Sequence, residues 1–130
     1  MTLTECAEKA ALLKRSGYNC CQAAAAALAE MEGTAPDDLL KIAAGFGAGM
    51  GNMEATCGAL AGAVMMAGRR TDGRGTVRYA RQISENFKAK CGSVTCRDLK
   101  GYGAANIFCP CEQCVRNAVL AYGEVMGLSE

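Results

Sequence analysis

The chain has 130 residues, 51% hydrophobic and only 5% aromatic, with nine cysteines, seven methionines and neither histidine nor tryptophan. Its 14 basic and 13 acidic residues leave a formal charge of +1, which argues against nucleic acid or an anionic membrane surface as a partner. Without histidine there is no Ser-His or Cys-His nucleophile pair and no imidazole ligand, so any metal chemistry falls to sulfur.

Apolar residues recur at helical spacing along most of the chain. Thr2 with Glu5 forms a candidate capping box, after which Leu3, Ala7, Ala10 and Leu13 share a face until Gly17. A second helix is predicted from about Asn19 to Met31, with Cys20, Ala24, Ala27 and Met31 on one stripe. Pro36-Asp37-Asp38 opens a third, predicted to bury Leu39, Ile42, Ala43 and Phe46. Gly45 to Gly51 carries a glycine at every second position and reads as a helix end passing into a tight connection. A fourth helix follows from about Thr56 to Ala67, stopped by Gly68; Arg69 to Thr76 is a polar loop; a fifth runs from Val77 to about Lys90. Cys91 to Pro110 is irregular, and a last helix spans about Glu112 to Met126. The expectation is an all-α fold, one domain over residues 1–130, arranged as an antiparallel bundle of five to six helices. Its core would be largely alanine and so thin, which makes a further staple useful. Gly58 and Gly62, four apart, leave room for a close neighbour.

Nine cysteines are about 7% of the chain, just below the range of disulfide scaffolds. The first nine residues carry no basic or apolar leader, and the longest apolar stretch, Ala59 to Gly68, is too short for a bilayer. A reduced cytoplasmic protein is therefore expected, its thiols serving as metal ligands, redox groups or small core residues. Cys57 stands in the first turn of its helix with Thr56 as candidate cap, where unpaired backbone N–H groups favour the thiolate. Cys20 and Cys21 open the second helix, and Cys20 is the better inward candidate. Cys91 and Cys96 form a C-x4-C spacing, and Cys111 and Cys114 a C-x2-C spacing at a helix opening, which suits zinc, iron–sulfur clusters and disulfide exchange alike.

Tyr18-Asn-Cys20-Cys-Gln-Ala, Gly45 to Gly51, Cys57-Gly-Ala-Leu-Ala-Gly62, Cys96-Arg-Asp-Leu-Lys-Gly101 and Cys111-Glu-Gln-Cys-Val-Arg occur in one order. Together they resemble the C_GCAxxG_C_C family of putative redox-active proteins, from about residue 17 to residue 120. The resemblance implies a small helical fold with Cys20, Cys57, Cys96 and Cys111 as the family's four cysteines. Gly58, Ala59 and Gly62 match its central element and are expected to let backbone approach the cofactor. It is also similar to the cysteine-rich helical domain of split-Soret cytochromes, which implies redox work and an iron–sulfur cluster; no C-x-x-C-H haem motif is present. Cys6, Cys21, Cys91, Cys109 and Cys114 exceed the family pattern and leave room for a larger or second cluster.

The leading expectation is a cluster-binding electron-transfer module, an oxidoreductase or a partner to one, working with another redox protein and with neither nucleic acid nor membrane. A homodimer suits so small an alanine-rich bundle. Two alternatives stand beside it: a metal-free thiol protein in which Cys57 attacks and one of Cys109 to Cys114 resolves, and a structural or storage zinc protein. A plain helical interaction domain is the blandest reading.

Overall fold

The computed structural model describes residues 1–104 and 106–130. Seven α-helices are present among them: α1 (Leu3–Arg15), α2 (Cys20–Met31), α3 (Asp37–Ala43), α4 (Gly58–Arg70), α5 (Thr76–Cys91), α6 (Cys96–Leu99) and α7 (Cys111–Met126). The fold is all-α, and none of these helices is long and apolar enough to cross a membrane.

Local chemistry sets the helix starts. At α1 the Thr2 hydroxyl accepts from the Glu5 N–H (3.1 Å) while the Glu5 carboxylate accepts from the Thr2 N–H (2.8 Å). Asn19 and Gln22 build the same reciprocal cap at α2, 2.9 and 3.1 Å long, and the Asn19 amide also donates to the Ala44 carbonyl (2.9 Å). That second bond ties the start of α2 to the Gly-rich connection.

Helices α2 and α7 carry most of the packing: α2 meets α1, α3, α4 and α7, and α7 meets α1, α2, α4 and α5, while α6 lies against the π turn at Gly49–Met53. Residues 23–29 of α2 are all buried, six of them alanine. A buried methyl contributes only about 0.8 kcal/mol, so such a helix stabilises the fold by letting its neighbours come close. The closest approach is to α4, where a Cβ on Gly62 would lie 2.6 Å from the Cys21 carbonyl oxygen. Larger side chains fill the remaining core, with Tyr122, Phe87, Leu28, Met66 and Ile83 fully enclosed.

Three local expectations change. Gly68 does not stop α4, which runs on to Arg70; the chain turns instead at Thr71, whose hydroxyl pairs with that of Thr76 (2.6 Å). Ile42 is exposed, because α3 has only seven residues and buries only Ala43. The segment after Cys91 is not wholly irregular, since it contains α6. The glycine-rich connection is a 3₁₀ turn (Ala44–Phe46) followed by a π turn (Gly49–Met53), with Ala48, Met50 and Met53 all at positive φ. Left-handed backbone at three non-glycine residues is strained. It is held on the inner side by Gly49, where a Cβ would lie 2.6 Å from that of Cys96.

Candidate metal centre

Three helices begin at a cysteine and a fourth directly follows one. Cys20, Cys96 and Cys111 are the first residues of α2, α6 and α7, and Cys57 is the residue before α4. A two-bond bridge aligns two of these starts: the Cys57 N–H donates to Val94 O (2.7 Å) and the Cys96 N–H to Ala55 O (3.0 Å). Gly92, left-handed at φ 97°, ends α5 immediately after Cys91 and turns the chain towards this bridge. The Cys109 N–H donates to Leu99 O (2.8 Å), which seats Cys109 beside α6 just before α7 begins.

The outcome is one small cavity of about 110 Å³, walled by Cys20, Cys57, Cys96, Cys109, Cys111 and Cys114, with Lys14 and Lys100 also on its lining. Cys91 completes the group from behind: its sulfur and those of Cys109 and Cys114 all lie within 4.8 Å of one another, and all three residues are buried. This cluster could hold a metal ion. A larger hollow of about 520 Å³ between α4 and α5 is lined by Phe46, Leu60, Val64 and Val77 among others and contains no thiol.

The thiols fall into two groups. The neighbouring Cys114 thiol, and to a smaller degree the backbone at the start of α4, hold Cys57 below the ordinary thiol range against the opposing effect of burial. Bonds from Cys114, then Asn117 and Cys109, bring Cys91 down to about 6; the Asn117 amide lies 3.2 Å from its sulfur. Cys114 is correspondingly pushed up, first by its bonds to Cys57 and Cys91 and then by burial, and it also donates to the Cys109 carbonyl (3.4 Å). Burial raises Cys109 to about 11. In the second group the neighbouring Cys20 thiol brings Cys111 down to about 6, with Lys100 and Lys14 acting in the same direction; Cys20 itself goes up. Cys96 is raised by burial.

Several sulfurs that favour the thiolate, gathered in one enclosed space, repel one another unless a cation sits between them. The N-termini of α2, α4 and α7, each 12 residues or longer, point their positive ends into that space. Both features suit a cationic metal held by anionic sulfur.

A family description, "putative redox-active protein (C_GCAxxG_C_C)", matches residues 18–125. The chain belongs to this family. No curated protein and no solved structure matches it. In this C_GCAxxG_C_C protein Cys20, Cys57, Cys96 and Cys111, the four cysteines expected from the resemblance, all line the same cavity. Gly58 lines it too, though a Cβ there would meet Phe46 O at 2.9 Å and Cys21 N at 3.2 Å. Ala59 is buried in the first turn of α4. Gly62 lies away from the cavity, against the backbone of α2.

The compact trio of Cys91, Cys109 and Cys114 falls outside the family's four positions. The C-x2-C spacing groups Cys111 with Cys114, yet Cys111 pairs with Cys20 while Cys114 joins Cys57 and Cys91. The remaining two cysteines stand apart. Cys6 donates to Ala27 O (3.3 Å) and Cys21 contacts the Met65 sulfur (3.6 Å); burial raises both to about 12, as expected for thiols acting as small core residues.

Proposed function

We propose that this C_GCAxxG_C_C protein is an electron-transfer module whose thiol cavity holds an iron–sulfur cluster. The observation that carries the reading is six cysteines, and no other metal-binding side chain, around a space of about 110 Å³. One probe-sized volume of roughly 10–15 Å³ admits a water, so this cavity has room for a polynuclear group as well as a bare ion. Sulfur-only donors suit iron–sulfur clusters and zinc and disfavour hard cations. Cys20, Cys57, Cys96 and Cys111 are the ligands we favour from the family pattern, with Cys109 and Cys114 available on the same wall. Gly62 serves by keeping α2, and hence Cys20, close to α4 and Cys57. A bound cluster would supply one-electron chemistry; the protein supplies the thiolates, the helix N-termini that offset their charge, and burial from water. The expected partner is another redox protein, and nine free thiols suit a reducing compartment.

A zinc site is the second reading, favoured by one observation. Four sulfurs around a tetrahedral ion at about 2.3 Å lie roughly 3.8 Å apart, and the trio of Cys91, Cys109 and Cys114 is already within 4.8 Å. Cys57, on the cavity wall with Cys109 and Cys114, would be the fourth. Anaerobic purification followed by an absorption spectrum and by iron, zinc and acid-labile sulfide analysis separates the two. Iron with sulfide and a visible band that bleaches on reduction is expected. A colourless zinc protein would replace the first reading with the second, and a folded, metal-free protein would overturn both.

A further inference from the structure

We propose that Cys111 and Cys20 form a dithiol that exchanges with small anionic disulfides, and that closing it as a disulfide blocks loading of the adjoining metal centre. Eight of the nine cysteines are buried, and Cys111 is the exception. Besides the thiol cavity it lines two open clefts, one with Lys14, Arg15 and Arg116 and one with Lys100, Tyr102 and Phe108. It is therefore the sulfur that a solute meets first. Cys20 lines the same small cavity and is buried, so the pair has one outward and one inward member.

The surrounding charge selects the disulfide. Lys14 and Lys100 border the cavity and have no ion-pair partner among the described residues. Glu112, the acid next in sequence, is occupied by Arg15 (2.6 Å) and approached by Arg116 (4.0 Å). Arg116 is shared with Glu8 (2.9 Å). The two lysines remain to attract carboxylate groups on an incoming molecule.

In the first step the Cys111 thiolate attacks one sulfur of R–S–S–R; the S–S bond breaks, a mixed disulfide forms on Cys111, and RS⁻ leaves and takes up the proton that Cys111 gave to solvent. Cys20 then loses its proton and attacks the Cys111 sulfur, and the second RS⁻ leaves as RSH. Two electrons and two protons pass from the dithiol to the disulfide, giving two RSH and a Cys20–Cys111 bond. That bond withdraws two sulfurs from the cavity. The exchange stands on the dithiol alone, whereas the block on loading rests on the reading that the cavity takes a metal.

The test treats reduced, metal-free, full-length protein with oxidised glutathione and maps its cysteines by mass spectrometry. Wild type should give a Cys20–Cys111 disulfide. Cys20→Ser should hold a glutathione on Cys111, and Cys111→Ser should react at least about tenfold more slowly. Cys111→Ala, checked by circular dichroism, repeats the last arm with a different side chain. The cationic disulfide cystamine should react several-fold more slowly than oxidised glutathione at low salt. Adducts spread over the buried cysteines, or unchanged rates in both Cys111 variants, would overturn the exchange, and equal or faster reaction with cystamine would overturn the charge selection. Finally, reduced and oxidised protein are each offered iron and sulfide. Loading of the reduced form only is expected. Equal loading overturns the block alone, and failure of both forms to load overturns the cluster reading while the mapped disulfide still decides the exchange.

Discussion

Gly62→Ala should destabilise the protein although alanine is the better helix former. In the middle of α4 the exchange of glycine for alanine gains about 1 kcal/mol of helix propensity. The new methyl would stand 2.6 Å from Cys21 O and 3.3 Å from both the Ala24 Cβ and the Ala25 N. Restoring an ordinary separation of 3.4 Å from that oxygen requires α2 and α4 to part by about 0.8 Å, and backbone cannot rotate aside as a side chain can. Overpacking of this kind costs about 1–3 kcal/mol, and a backbone obstacle belongs at the upper end, so a net loss of about 1–2 kcal/mol is expected. Gly68→Ala is the control on the same helix: its methyl would meet only Thr76 Cγ2, at 3.9 Å, and should stabilise by about 0.5–1 kcal/mol. Urea denaturation of the reduced, metal-free protein, followed by far-ultraviolet circular dichroism, measures both. Gly62→Ala as stable as Gly68→Ala would refute the close approach of α2 and α4. Because these helices carry Cys20 and Cys57, the folded Gly62→Ala protein should also bind metal more weakly.

Tyr122→Phe should cost about 2 kcal/mol in the same assay, since the buried hydroxyl donates to the Glu32 carboxylate (3.0 and 3.1 Å), which also pairs with Arg70 (3.1 Å). Asn19→Ala should cost about 1 kcal/mol by removing the α2 cap, and alkylation of Cys20 should quicken as that turn frays; unchanged alkylation would separate the cap from the site. Cys6→Ala should leave metal content unchanged after purification, while Cys57→Ala should lower it, because Cys57 lines the thiol cavity and Cys6 lies on α1 against Ala27. Equal metal content in these two variants would contradict the division of the cysteines.

The helical fold was legible in the sequence because its signals are local. Apolar spacing along α1, α2 and α7 and the Thr2–Glu5 box require no knowledge of distant residues. Cys57 at the start of α4 was legible for the same reason, although it occupies the cap position itself and Thr56 lies one residue outside. The family motifs went further and marked four cysteines that line one cavity. What stayed hidden depends on long-range geometry. Cys91 joins the site through the turn at Gly92, and Cys109 through a single bond to Leu99. The bridge between residues 55–57 and 94–96 is too short to leave a strand pattern. The partition of Cys111 and Cys114 between two groups likewise depends on where α2 and α5 present their own sulfurs. At Gly68 a local stop signal was outweighed by the turn built around Thr71.

In the proposed centre sulfur alone holds the metal. X-ray absorption at the metal edge of the anaerobically purified full chain tests it most directly. An inner shell made only of sulfur at about 2.3 Å, accompanied by an iron shell if the group is a cluster, is the expected result. An inner shell containing oxygen or nitrogen, or a folded protein with no bound metal, would contradict it.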